Sequence, residues 1–138
     1  MKRILSIAIL VLMLLALCLT ACAEETEPKT YTSGDYRYIL LDDGTAEITW
    51  YNGKAENLTI AAQLDGYPVT AIGDGVFSWR SSLTAITIPD SVTSIGEYAF
   101  SWCSSLTLTV TRDSYAAQYC KEKGLNYTYT DSLDWLNN

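Results

Sequence analysis

The side chains that could carry chemistry are few: Cys22, Cys103 and Cys120, the pair Trp79 and Trp102, and the threonines Thr59, Thr87 and Thr109. Histidine is missing altogether, which removes the commonest general base and metal ligand. No serine stands in a nucleophile elbow, no glycine-rich loop follows a strand to hold a phosphate, and no calcium or zinc spacing occurs. Acid pairs such as Asp42-Asp43 and Glu24-Glu25 fall in turn or linker sequence, where solvation accounts for them. The expectation is a protein that is not an enzyme and needs no cofactor or metal.

Cys22 draws its chemistry from what precedes it. Lys2-Arg3 lead an apolar run from Ile4 to Leu19 that ends in Leu19-Thr20-Ala21-Cys22, the layout of a secretory signal with small residues at the cut. Those last four residues resemble a bacterial lipobox, which implies cleavage before Cys22 and acylation of its thiol and new amine. The alternatives are an ordinary signal peptide and an uncleaved anchor helix. Each buried methylene of a lipid adds about 0.8 kcal/mol, so two or three chains hold stably where one does not. Loss of residues 1–21 takes Lys2 and Arg3 and no acidic side chain, leaving seven basic against 16 acidic residues, a net −9. That balance argues against nucleic acid and against anionic lipid heads, which select Lys and Arg clusters.

The elements that position the remaining candidates follow from a repeat. A shift of 23 residues lays Val69 on Val92, Ile72-Gly73 on Ile95-Gly96, Phe77 on Phe100, Trp79 on Trp102 and Ser81-Ser82 on Ser104-Ser105, and a fixed period of this length marks a solenoid. Within one copy Ile86 and Ile88 alternate with Thr87, so a short strand points branched residues inward and a hydroxyl outward. Pro89 and Asp90-Ser91 end it. The chain then returns through Val92, Ile95, Ala99, Phe100 and Cys103, whose intervals of three and four predict one or two tight helical turns with one buried face. Such a coil cannot cover its own apolar side and needs a neighbour. The whole interpretation requires Ile60, Ile88 and Val110 to lie side by side.

From Ile86 to Cys103 the chain reads ITIPDSVTSIGEYAFSWC, which resembles the leucine-rich repeats of the BspA or Treponema type, with looser likeness over roughly residues 36–129. The resemblance implies a noncatalytic surface module linked to adhesion and protein binding. The fold expected is an α/β leucine-rich repeat solenoid, short and strand-dominated. Departures from the pattern are specific: Trp79 and Trp102 stand where the family usually has glycine, Arg80 replaces the inward cysteine seen at Cys103, and Ala61 and Thr111 replace proline.

In chain order the sequence predicts a lipoprotein signal peptide over 1–21, a flexible stalk over 22–34, an N-terminal β-hairpin cap over 35–57, repeats over 58–111 and a C-terminal helix–strand cap with a tail over 112–138. The hairpin joins Tyr36–Leu41 to Ala46–Tyr51 through Asp42-Asp43-Gly44, with one aromatic face expected to lie on the first repeat. Five extra residues around Leu64–Pro68 read as a widened loop. YAAQYCKEKG reads as a helix capped by Asp113 or Ser114 and stopped by Gly124, Leu125–Tyr129 as a closing strand, and the tail as docked through Trp135 or frayed.

The candidate roles then stand as alternatives. Cys103 and Cys120 form a disulfide or are small core residues. Trp79 and Trp102 stack as a platform for a sugar ring or a partner side chain, or pack on one another. The threonines are good strand formers and a hydroxyl ladder for a ligand. Partners are the membrane through a lipid anchor and a protein or glycan ligand, with a structural or vestigial surface lipoprotein as the alternative function.

Overall fold

The computed structural model describes residues 27–131; the signal segment, Cys22 and the tail with Trp135 lie outside the described residues. β1 (Thr30–Ser33), β2 (Tyr36–Leu40) and β3 (Ala46–Tyr51) form an antiparallel meander. There follow β4 (Asn57–Thr59), β5 (Gln63–Leu64), β6 (Tyr67–Ile72), β7 (Ala85–Thr87), β8 (Ser94–Ile95), β9 (Thr107–Val110), the helix α1 (Tyr115–Lys123) and β10 (Tyr127–Tyr129). One sheet is ordered β1-β2-β3-β6-β5 with β8 also on β6, and the other is ordered β10-β9-β7-β4.

The second sheet is parallel throughout. Its register sets Leu58 beside Ile86 and Leu108, and Thr59 beside Thr87 and Thr109. One residue on, Ile60 N donates to Thr87 O and Ile88 N to Thr109 O, each at 3.0 Å. Ile60, Ile88 and Val110 are therefore neighbours on adjacent strands, all buried, as the repeat requires.

The return path differs from expectation. Residues 92–103 are not a helix: β8 pairs in parallel with β6, and Thr93 N donates to Thr70 O at 2.8 Å and Gly96 N to Ile72 O at 2.7 Å. Beyond β8 and its counterpart each copy makes two isolated turn bonds, Ser78 N to Gly75 O and Leu83 N to Arg80 O in the first, Ser101 N to Tyr98 O and Leu106 N to Cys103 O in the second. Three amides of the first copy instead cross to the second, from Gly75 to Glu97 O, Phe77 to Ala99 O and Trp79 to Ser101 O, at 2.9–3.0 Å. Helix nucleation fixes several residues for one bond, and so short a segment satisfies its amides more readily on the neighbouring copy.

The meander meets the repeats in two ways: Tyr51 packs 5.5 Å from Phe77, and, not read from the sequence, β3 lies beside β6 in parallel with Ala46 opposite Val69 and Ile48 opposite Ile72, across a bulge at Ala46/Glu47. Thr30–Ser33, placed by sequence inside the stalk, pairs with Tyr36–Ile39, because alternating β-formers there meet an open edge of β2. The widened loop is a tight β5–β6 hairpin turning at Asp65-Gly66, both at positive φ, the geometry of a two-residue hairpin turn. α1 matches the sequence reading: Ser114 Oγ accepts from Ala117 N at 3.1 Å, and Gly124 closes the helix at φ 66°.

A file of aromatic rings runs through the interior along the stacking direction. Tyr36, Tyr51, Phe77, Phe100 and Tyr119 follow one another at centroid separations of 5.1, 5.5, 5.6 and 6.4 Å, within the range where aromatic pairs attract. It links meander, repeats and helix.

Candidate recognition surface

The parallel sheet turns its hydroxyl-bearing residues outward because its alternate residues are buried. Thr59, Thr87 and Thr109 occupy one row, and β10 extends it with Thr128 beside Thr109. All are exposed or half-buried. Thr128 was legible as part of a closing strand, but its membership of the row depends on β10 pairing in parallel, which the sequence alone does not specify. Next to this row stand Asn57, Ala85 and Thr107, so the face carries hydroxyl, amide and methyl groups and no charge.

Trp79 and Trp102 are stacked, with centroids 4.9 Å apart and an interplanar angle of 13°. Both stay largely in water, at 72% and 69% exposure. Both also sit in the left-handed region, at φ 62° and 63°, which explains why glycine is usual in the pattern here. An L side chain in that region costs roughly 1–2 kcal/mol, whereas stacking contributes about 0.5–1.5 kcal/mol beyond the area it buries. With most of both rings exposed, folding gains little from tryptophan over glycine. Tyr98 repeats the situation at φ 56° and 70% exposure, one period after Gly75 at φ 63°; sequence reading passed over it. Beside it opens a cleft of about 270 Å³ between the second turn and α1, lined by Glu97, Tyr98, Phe100, Tyr119 and Lys123.

Cys103 and Cys120 are free thiols. Cys120 is buried in the core, and Cys103 Sγ donates to Phe77 O at 3.0 Å, so each packs separately and no bridge joins them. Burial pushes the Cys120 thiol up to about 11 and raises Cys103, against an opposing backbone hydrogen bond and the charge of Arg80. Both are therefore protonated thiols at neutral pH, poor as nucleophiles. Arg80, at the position equivalent to Cys103, points its guanidinium at the meander, donating to Gly53 O at 2.7 Å and to Tyr51 O, and lies 4.9 Å from the Tyr51 ring centroid. It anchors the end of β3.

The β5–β6 turn is a strut. Asp65 accepts from Tyr38 Oη and Ser33 Oγ, each at 2.8 Å, and these bonds hold its carboxyl below the usual carboxylate range. Burial first, and then that carboxylate, push the Tyr38 phenol up to about 12. Burial does the same to Tyr36, also to about 12, and raises Tyr51 and Tyr119. Below pH 10 these phenols are neutral folded or unfolded, so their burial costs nothing through ionisation. Between about 10 and 12 the unfolded chain loses protons that the folded one keeps, and stability falls as pH rises. The urea midpoint should drop across that window, less steeply in Tyr38→Phe; an equal slope in the variant would show that Tyr38 does not titrate with unfolding.

Among the described residues no group of three His, Cys, Asp or Glu could hold a metal ion. The BspA type leucine rich repeat region, a family model of six copies, matches residues 49–128. No curated protein matches the sequence. A leucine rich cell surface protein of Faecalibacterium prausnitzii A2-165 is similar at 39% identity and TM-score 0.60, over 75% of this chain and 30% of its own. A leucine-rich repeat protein of Bacteroides capillosus is similar at 34% identity and TM-score 0.50, over 59% and 70%. The T. pallidum leucine rich repeat protein is similar at 28% identity and TM-score 0.53, over 60% and 43%. The chain thus spans about 30% of the length of the Faecalibacterium protein.

Proposed function

Because the chain belongs to the BspA type leucine rich repeat family, we propose that it is a noncatalytic protein-recognition module held by lipid outside a bacterial cell. The observation that carries this reading is the uncharged row Thr59, Thr87, Thr109 and Thr128 on a parallel sheet. It faces solvent, with Thr59 and Thr128 exposed and Thr87 and Thr109 half-buried, and its hydroxyls can both donate and accept. The meander and the α1–β10 unit act as caps of a short solenoid, supported by the aromatic file that passes from Tyr51 to Phe77 at one end and from Phe100 to Tyr119 at the other. A cell-surface place is supported by the description of the Faecalibacterium relative, and the anchor by the lipobox-like residues ending at Cys22.

Size sets the mode of binding. Four strands about 4.8 Å apart and three or four residues long give a face about 20 Å by 10 Å, roughly 200 Å², well short of the roughly 800 Å² that a standard interface takes from each partner. Contact through the strand face alone is weak, so retention at the surface makes it effective through repeated copies. A two-part experiment tests this. Thr87→Lys puts a solvated charge at the centre of the row and should abolish capture of envelope or host proteins with an unchanged urea midpoint. Cys22→Ala should move the protein from the membrane fraction to the soluble one. Undiminished capture by Thr87→Lys would sink the recognition face, and continued membrane retention of Cys22→Ala would sink the lipid anchor.

A further inference from the structure

We propose that the stacked Trp79–Trp102 pair is a binding site for a neutral glycan, separate from the threonine row and independent of the reading given for it. Among the described residues the three aromatic side chains left most exposed, Trp79, Tyr98 and Trp102, are also three of the few non-glycine residues at positive φ. Strained backbone that folding does not explain points to use. In both copies the ring stands on the same turn, and the amide of Trp79 is already committed to Ser101 O at 2.9 Å, so the rings rather than the backbone are on offer.

The surroundings select the ligand. Exposed hydroxyls follow each ring, Ser81-Ser82 in the first copy and Ser104-Ser105 in the second. From Tyr98 to Ser105 the sequence carries no charge, and from Gly75 to Ser82 only Arg80, whose guanidinium is turned inward to Gly53 O and Tyr51 O. An anionic polymer finds no free cation there, in a chain of net charge −7. A pyranose with one apolar face and a rim of hydroxyls matches an exposed indole face with exposed serines two and three residues further along the chain. Because the rings stack on each other, one face of each remains for sugar and the two outward faces point in opposite directions, so each takes a single pyranose and not a run of residues along the pair.

The test uses the residue the local backbone prefers. Glycine is at ease at positive φ, so the double variant Trp79→Gly/Trp102→Gly should fold with an equal or higher urea midpoint, separating binding from stability. The full chain, in detergent, is run by affinity electrophoresis in gels holding soluble β-glucan, galactomannan or pectin. Retardation by at least one neutral polysaccharide, reduced tenfold or more in the double variant and untouched by Thr87→Lys, is the result expected. Retardation by none of the neutral polymers, by pectin alone, or equally in the double variant would overturn the proposal.

Discussion

Phe77→Ala is expected to lower stability by about 3–5 kcal/mol, the cost of emptying a buried aromatic site. Phe77 is fully buried at the middle of the aromatic file, 5.5 Å from Tyr51 and 5.6 Å from Phe100, and parallel to the latter within 2°. Its neighbours cannot collapse into the gap easily, because Tyr51 is held in β3 and Phe100 sits in a turn tied to the adjacent copy by the bonds from Phe77 N to Ala99 O and from Trp79 N to Ser101 O. Its own carbonyl also accepts from Cys103 Sγ. A domain of this kind has about 5–15 kcal/mol in all, so the variant should stand near the edge of folding. With a urea dependence of about 1–3 kcal/mol/M, the midpoint should fall by roughly 2 M. Phe77→Leu, which refills most of the volume, should lose about 1 kcal/mol, whereas Trp50→Ala, half in water, should change little. A Phe77→Ala midpoint within experimental error of the parent would mean that the file does not join the meander to the repeats.

The residues that made this interior legible were those whose period fixes a single side. Ile86 and Ile88 flanking Thr87 specified a strand and its inner face, and copies of known spacing then placed Ile60 and Val110 beside them. Of the aromatic file Phe77 and Phe100 followed by the same shift, and so did the stacking of Trp79 on Trp102, whereas Tyr36, Tyr51 and Tyr119 did not. What escaped was governed by edges. Ser94-Ile95 is too short for any period to show, and its strand exists because β6 offers open hydrogen-bonding groups at the right distance. Thr30–Ser33 has the composition of a linker's end, yet β2 presents it with an edge. The same holds for Thr128, whose row is decided by β9.

Substitutions within the pattern were legible as departures but not as contacts. Arg80 in place of the inward cysteine could be seen in the sequence; that it reaches the carbonyls of Tyr51 and Gly53 depends on where β3 ends. Glycine replaced by tryptophan could likewise be seen, whereas the left-handed backbone beneath it could not. Asp65 and Gly66 read only as part of a widened loop; the tight turn they make, and the bonds of Asp65 to Ser33 and Tyr38 across 32 and 27 residues, came with the fold.

Gly96→Ala should be the most damaging of the small changes, and its sign separates two effects of glycine. Where the backbone allows alanine, the substitution stabilises by about 0.4–1 kcal/mol by restricting the unfolded chain. At Gly96 a Cβ would stand 2.6 Å from Asp74 N and 2.7 Å from Gly73 C, and closer still to Asp74 Oδ1. Two of these are backbone atoms of the adjacent copy, so the copies must separate. The bonds that lock them there are Gly96 N to Ile72 O at 2.7 Å and Glu97 N to Asp74 Oδ1 at 2.8 Å. A loss of about 3 kcal/mol follows, the upper end for overpacking. Gly73→Ala, one period earlier, meets Glu47 Oε1 at 2.9 Å, the end of a flexible side chain, and then Ile48 O at 3.1 Å, and should lose about 1 kcal/mol. Adding Asp74→Ala to Gly96→Ala tells the obstacles apart. If the carboxylate were the barrier, its removal would restore the urea midpoint. Since backbone stands behind it, the double variant should remain about as unstable as Gly96→Ala, and a recovered midpoint would show that the copies are not packed main chain to main chain.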